Sequence, residues 1–184
     1  MKTYKYFQRI FLIGFSGSGK TSIGKKLAAA LGYTFIDTDI LFEAAQGCTL
    51  VEFFEQYGET IFRKKEHEIL KSTLLTEDVV IATGGGTPCY TDSLSLMLNS
   101  GHVLYLKATP KMLYERLANA RSTRPLISNK TGLELLEYIY DVLQEREPIY
   151  NQAHSIVEAS GLKSPKAIEH LSQWLIEKGK WWTI

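Results

Sequence analysis

Residues 10–24 read Ile10-Phe-Leu-Ile-Gly14-Phe-Ser-Gly-Ser-Gly-Lys-Thr21-Ser-Ile-Gly24. A short apolar run that ends in glycine is the pattern of a buried strand. Past it, Ile23, Leu27, Ala28 and Leu31 recur at helical spacing from Lys20 onward, and Gly32 closes that helix. The junction, Gly14-x-x-x-x-Gly19-Lys20-Thr21, is the Walker A pattern in the strand-before, helix-after setting that gives it meaning. Phosphate oxygens need several convergent N–H donors at close range, and side chains obstruct that approach. Gly14, Gly17 and Gly19 let the backbone curl its amides inward, and the positive end of the following helix favours an anion. Lys20 can set an ammonium on the β- and γ-phosphates, and the Thr21 hydroxyl can ligate Mg²⁺. The expected ATP-binding set here is Gly17, Ser18, Gly19, Lys20, Thr21 and Ser22.

Outward from that junction the pattern repeats. Strands are expected at Tyr33–Asp37, Val79–Thr83, His102–Leu106 and Ser155–Val157. Helices are expected at Leu41–Ala45, Leu50–Tyr57, Glu59–Leu75, Leu94–Leu98, Pro110–Leu117, Leu133–Arg146 (stopping before Pro148) and Pro165–Lys178. Strands alternate with helices and lack period-two polarity, so the sheet is parallel and covered on both faces, an α/β sandwich. Residues 118–130 lose periodicity and are rich in Arg, Ser, Thr and Asn, which reads as a polar loop. A length of 184 residues without repeat or linker implies one domain, 1–184.

Net charge is +1, so no global field gathers nucleic acid or an anionic membrane. No apolar stretch reaches transmembrane length. Cys48 and Cys89 share neither CxxC spacing nor a histidine at ligand distance, which fits small packed thiols and a cytoplasmic protein. A monomer without nucleic-acid or membrane partners is expected. His67, His102, His154 and His170 show no metal spacing; Met97, Met112, Trp174, Trp181 and Trp182 read as packing or contact residues.

A guanine-specific switch protein would carry Asn-Lys-x-Asp; Asn129-Lys130-Thr131-Gly132 lacks the aspartate. The usual third-strand acid for Mg²⁺ is also missing, because Val79–Thr83 runs into Gly84-Gly85-Gly86. An acid must come from elsewhere, and Asp37-Thr38-Asp39 ends the second strand. With Phe62-Arg63, Thr83-Gly84-Gly85-Gly86, Arg124-Pro125-Leu126 and Arg146-x-x-x-Tyr150-x-x-Ala153 in register over residues 8–170, the chain resembles the shikimate kinases. Those are small enzymes of the nucleoside-monophosphate-kinase structural group. The resemblance implies a P-loop kinase fold with a five-stranded parallel core in three layers. It also implies a substrate-binding helical segment at about 39–75, a lid at about 118–130, and transfer of phosphate from ATP to the 3-hydroxyl of shikimate, with Mg²⁺.

Site roles follow from that resemblance. Asp39 is the shikimate-hydroxyl aspartate, orienting or deprotonating the attacking group; a helix N-cap near Ile40 is its plainer use. Asp37 sits nearer the metal, with Thr21. Arg63 and Arg146, which alone would read as solvated helical charges, clamp the substrate carboxylate, and Gly84, Gly85 and Gly86 bring backbone N–H groups to the substrate. Arg124 is the cation at the transferring phosphoryl, so Lys20, Asp39 and Arg124 form the catalytic set. Adenine contacts are weakly encoded: Arg116 or Arg121 on one side, with Lys163, where the family often has Arg, and Pro165 on the other. The rival readings are a gluconate- or nucleoside-monophosphate-type kinase and a non-catalytic nucleotide-binding module.

Overall fold

The computed structural model describes residues 7–119 and 132–179. Five strands form one parallel sheet in the order β2-β3-β1-β4-β5, with β1 Arg9–Ile13, β2 Thr34–Asp37, β3 Val79–Ala82, β4 His102–Lys107 and β5 Ser155–Glu158. The helices are α1 Lys20–Leu31, α2 Thr38–Gln46, α3 Leu50–Thr73, α4 Ser93–Ser100, α5 Pro110–Asn119, α6 Gly132–Tyr150 and α7 Pro165–Gly179.

Side chains alternate across the central strands, and each face finds its own helices. Ile10, Leu12, Val80, Leu104 and Leu106 pack in one cluster with residues of α1, α5, α7 and the first half of α6. Phe11, Ile13, Ile81, Val103 and Tyr105 pack in a second with α3, α4 and Tyr150 at the end of α6. The result is the three-layer α/β/α sandwich expected from strands without polar alternation. A smaller apolar knot of Phe42, Phe53 and Phe62 ties α2 to α3, so the segment after β2 has its own packing.

Three details bear on the sequence expectation. First, the helices predicted at Leu50–Tyr57 and Glu59–Leu75 are both present, run together as α3 but broken at Gly58, whose φ 75 and ψ 172 are not helical. Second, α6 does not stop ahead of Pro148: it runs through it to Tyr150. A proline near a helix end forfeits one backbone bond, which packing of Tyr150 in the core offsets. Third, α2 starts at Thr38, with Asp37 as its N-cap accepting from the Asp39 N–H at 3.0 Å, so Asp39 is not the cap.

Candidate active site

Strand order places the C-terminal ends of β2, β3 and β1 side by side, with β3 in the middle. The loop after β1, the loop after β3 and the start of α2 therefore meet above the sheet, where open α/β folds bind ligands.

The loop after β1 is a phosphate cradle. Gly14, Gly17 and Gly19 have φ of 137, 84 and 104, which side-chain-bearing residues rarely adopt. At Gly14 a Cβ would also lie 2.7 Å from the Leu106 carbonyl oxygen. Lys20 is buried, and its Nζ donates to the carbonyls of Gly14 at 2.7 Å and Phe15 at 2.9 Å, which holds the ammonium over the mouth of the loop. Carbonyls turned outward by the curl are covered too: Arg116 Nη1 donates to Gly17 O at 2.8 Å and Ser18 O at 2.9 Å. Arg116, one of the two arginines offered for the base, thus braces the loop and also lines its cleft.

That cleft, about 550 Å³, is lined by Gly17, Gly19, Lys20, Thr21 and Ser22, with Lys163 near its outer end. Ser18, also expected among the ATP contacts, lies deepest in the loop. It is fully buried, its N–H donates to Phe15 O at 3.1 Å, and its hydroxyl has no hydrogen-bond partner among the described residues. At the inner end Thr21 Oγ1 donates to Asp37 Oδ2 at 2.7 Å, while Asp37 Oδ1 caps α2. One carboxylate thereby joins α1 to α2 and leaves two hard oxygen donors beside the cradle.

On the other side of β3 lies a second cavity. Its charged wall is Arg63, Glu66 and Arg146; its apolar wall is Phe15, Leu50, Phe54 and Phe62; Gly84–Gly86 form its floor. Arg63 is buried and paired through Nη1 with Glu66 Oε2 at 2.7 Å, and through Nε with Glu59 at 3.4 Å. Burial alone would lower the guanidinium's pKa; the two carboxylates outweigh it, so the group stays above its usual range and fully charged. Glu66 in turn accepts from Thr87 Oγ1 at 2.7 Å, which locks the pair.

Within the glycine loop, the Gly84 N–H donates to Thr38 Oγ1 at 3.1 Å, so Gly84 lines the cavity with its own donor already committed. A Cβ on Gly86 would sit 2.5 Å from Arg63 Nη1: the guanidinium lies directly on that glycine. Gly85 is wedged against the cradle, with its Cβ position 3.2 Å from Ser16 N.

Asp39 lines both cavities, and among the described residues it is the one that does so. Lys20, Thr21, Asp37, Asp39, Arg63, Gly84–Gly86, Arg146 and Lys163 are thus brought into two adjoining spaces with a carboxylate at the seam. Arg124, Arg121 and residues 120–130 of the expected lid lie outside the described residues, while 118 and 119 end α5. Sequence reading missed Glu66, Leu50, Phe54 and Tyr138, which also lines the second cavity. Glu66 had a signal, three residues after Arg63 on a helix. Tyr138 shares a face with Arg146, eight residues on, which spacing alone does not single out.

A phosphate cradle facing a separate, cationic, partly apolar acceptor cavity across one carboxylate defines a P-loop kinase for a small acidic metabolite. The comparisons agree. The shikimate kinase family model matches residues 16–176. The shikimate kinase of Phocaeicola vulgatus is 39% identical over 161 residues, covering 88% of this chain and 92% of that protein. The crystal structure of shikimate kinase from Bacteroides thetaiotaomicron superposes with a TM-score of 0.85 at 38% identity, over 94% of this chain and 98% of that one. Shikimate kinase from Acinetobacter baumannii in complex with shikimate gives 0.82 at 29%, over 96% and 95%. The chain belongs to the shikimate kinase family.

Proposed function

We propose that this chain transfers the γ-phosphoryl of ATP to the 3-hydroxyl of shikimate, giving shikimate 3-phosphate and ADP, with the residues assembled above in the following roles. The observation that carries the reading is the placement of Asp39 at the seam, with the cradle on one side and the Arg63–Arg146 wall on the other.

Shikimate is a ring with one carboxylate and several hydroxyls. Two guanidiniums suit the carboxylate, each charge-assisted bond being worth about 1.5–3 kcal/mol. Phe15, Leu50, Phe54 and Phe62 suit the ring face, and the Gly85 and Gly86 amides supply donors on the floor. Held there, the ring presents a hydroxyl to Asp39, which orients it or takes its proton as it attacks. Lys20 meets the charge on the β- and γ-phosphates. Arg124 is kept as the cation at the transferring phosphoryl. Rate enhancement then comes from positioning and electrostatics.

Mg²⁺ fits the donor set. Thr21 Oγ1 and Asp37 Oδ2 are hard oxygens 2.7 Å apart beside the cradle. Among the described residues no cluster of three acidic, cysteine or histidine side chains competes with them. A site with one or two protein oxygens, completed by phosphate and water, is the usual habit of this ion. Thr21 and Asp37 would hold the ion, which would supply positive charge against that of the phosphates.

The same reading takes residues 1–184 as one kinase domain acting as a cytoplasmic monomer, without nucleic-acid or membrane partners. One sheet carrying both cavities and two unpaired cysteines, Cys48 and Cys89, support it. No helix among the described residues is long and apolar enough to cross a membrane. The test is an ADP-release assay with shikimate, gluconate and nucleoside monophosphates as acceptors. Shikimate-dependent turnover is expected; its absence in a protein that still binds ATP rejects the assignment.

A further inference from the structure

Tyr150 belongs to the Arg146-x-x-x-Tyr150 pattern, yet no role above uses it. Its ring is fully buried, 5.1 Å from that of Tyr105, and its hydroxyl donates to the Gly85 carbonyl at 2.5 Å. Arg146, one turn earlier on α6, hydrogen-bonds the same phenol and lines the acceptor cavity. We propose that Tyr150 is a positioning residue for acceptor binding, fixing the Gly85–Gly86 peptide and the Arg146 guanidinium through one hydroxyl.

The argument rests on peptide geometry. The Gly85 carbonyl and the Gly86 N–H are opposite ends of one planar trans unit. Fixing the oxygen on the α6 side therefore aims the N–H the other way. A peptide flanked by two glycines has little else to hold its plane, because neither residue offers a side chain that packing can grip. Gly85 is also pressed against Ser16 of the cradle, so the plane cannot be set by sliding the loop as a whole. The phenol is well chosen for this. Burial raises its pKa, with Arg146 only partly opposing, so it remains a neutral donor throughout the working range. Its oxygen can accept from Arg146 while its proton goes to Gly85, which links the two acceptor-binding elements in one chain of hydrogen bonds.

This assignment rests on the shikimate-binding reading of the cavity, and Tyr150→Phe tests it beside the unaltered chain. The substitution keeps the ring against Tyr105 and removes only the hydroxyl. The expected result is a rise of about tenfold in the KM for shikimate, with kcat and the KM for ATP within about twofold. A second measurement is a double-mutant cycle with Arg146→Lys, where the loss from Tyr150→Phe should shrink because both act as a unit. A lower melting temperature with an unchanged KM for shikimate would reduce Tyr150 to a packing residue and overturn the proposal, as would additive losses in the cycle. If the unaltered chain shows no turnover with shikimate, the functional reading fails and takes this one with it.

Discussion

Gly86→Ala probes Arg63 by displacing its guanidinium while leaving that residue unmutated. Gly86 has φ −87 and ψ −16, an ordinary helical conformation, so alanine brings no backbone strain. The new methyl would instead meet Arg63 Nη1 at 2.5 Å, Nη2 at 2.6 Å and Cζ at 2.7 Å. Ordinary contact begins near 3.4 Å. The guanidinium must therefore retreat by about 0.9 Å, and misplacements of about 1 Å can cost about 10²-fold in a positioned site. Retreat is resisted by Glu66, held in turn by Thr87, so the displaced group cannot simply find an equivalent seat. Loss of one charge-assisted bond, about 1.5–3 kcal/mol, corresponds to a rise of about ten- to 150-fold in the KM for shikimate. Initial rates with shikimate and ATP varied in turn measure it, and the KM for ATP should hold within about twofold. An unchanged KM for shikimate in a folded variant would show that Arg63, where it lies, does not hold the acceptor.

Asp39→Asn should lower kcat by about 10²–10⁴-fold while shikimate still binds, measured by calorimetry; retention of most of kcat would remove Asp39 from the chemistry. Asp37→Asn keeps the α2 cap, since asparagine caps as well as aspartate, and removes the charge beside Thr21. It should raise the Mg²⁺ concentration for half-maximal rate by about tenfold, with the KM for shikimate unaltered; an unshifted Mg²⁺ titration would argue against Asp37 at the metal. His102 is held at a pKa of about 4 by burial, with positive charge on His154 and Lys178 adding to it. The unfolded imidazole binds a proton below 6.5 that the folded one refuses, so stability present above 6.5 is lost as pH falls towards 4. Urea unfolding at about pH 7 and about pH 5 should differ by on the order of 2 kcal/mol from this group, and His102→Gln should flatten the slope; equal slopes would refute it.

Much of the fold is legible in the sequence. Strands buried on both faces leave continuous apolar runs, so Ile10–Ile13, Val79–Ala82 and His102–Leu106 announced themselves, and glycines after the first two marked the ligand-facing edge. Asp37, Asp39, Arg63 and Arg146 were legible through the order of motifs rather than through any one of them. What was hidden depends on distances between elements. The burial of the Ser18 side chain follows from the curl of the loop, which a linear pattern does not show. The hold of Arg116 on the Gly17 and Ser18 carbonyls is equally hidden, because nothing in sequence says that they lie against α5. Gly58 was legible as the break between two helices, but not that both sides would pack on Phe42, through Phe53 and Phe62.

Gly85 presses on the cradle from within the second cavity, which Ser16 lines beside it, and a Cβ there would lie 3.2 Å from the Ser16 backbone nitrogen. A loop seated that tightly on the phosphate cradle cannot recede to enlarge the cavity without pushing the cradle out of shape. Any drift of this chain towards a bulkier or differently shaped alcohol must therefore come through Leu50, Phe54, Phe62 and Tyr138 on the helical side. Mutational searches for altered acceptor choice have their freedom there, and the strand-borne half should tolerate almost none.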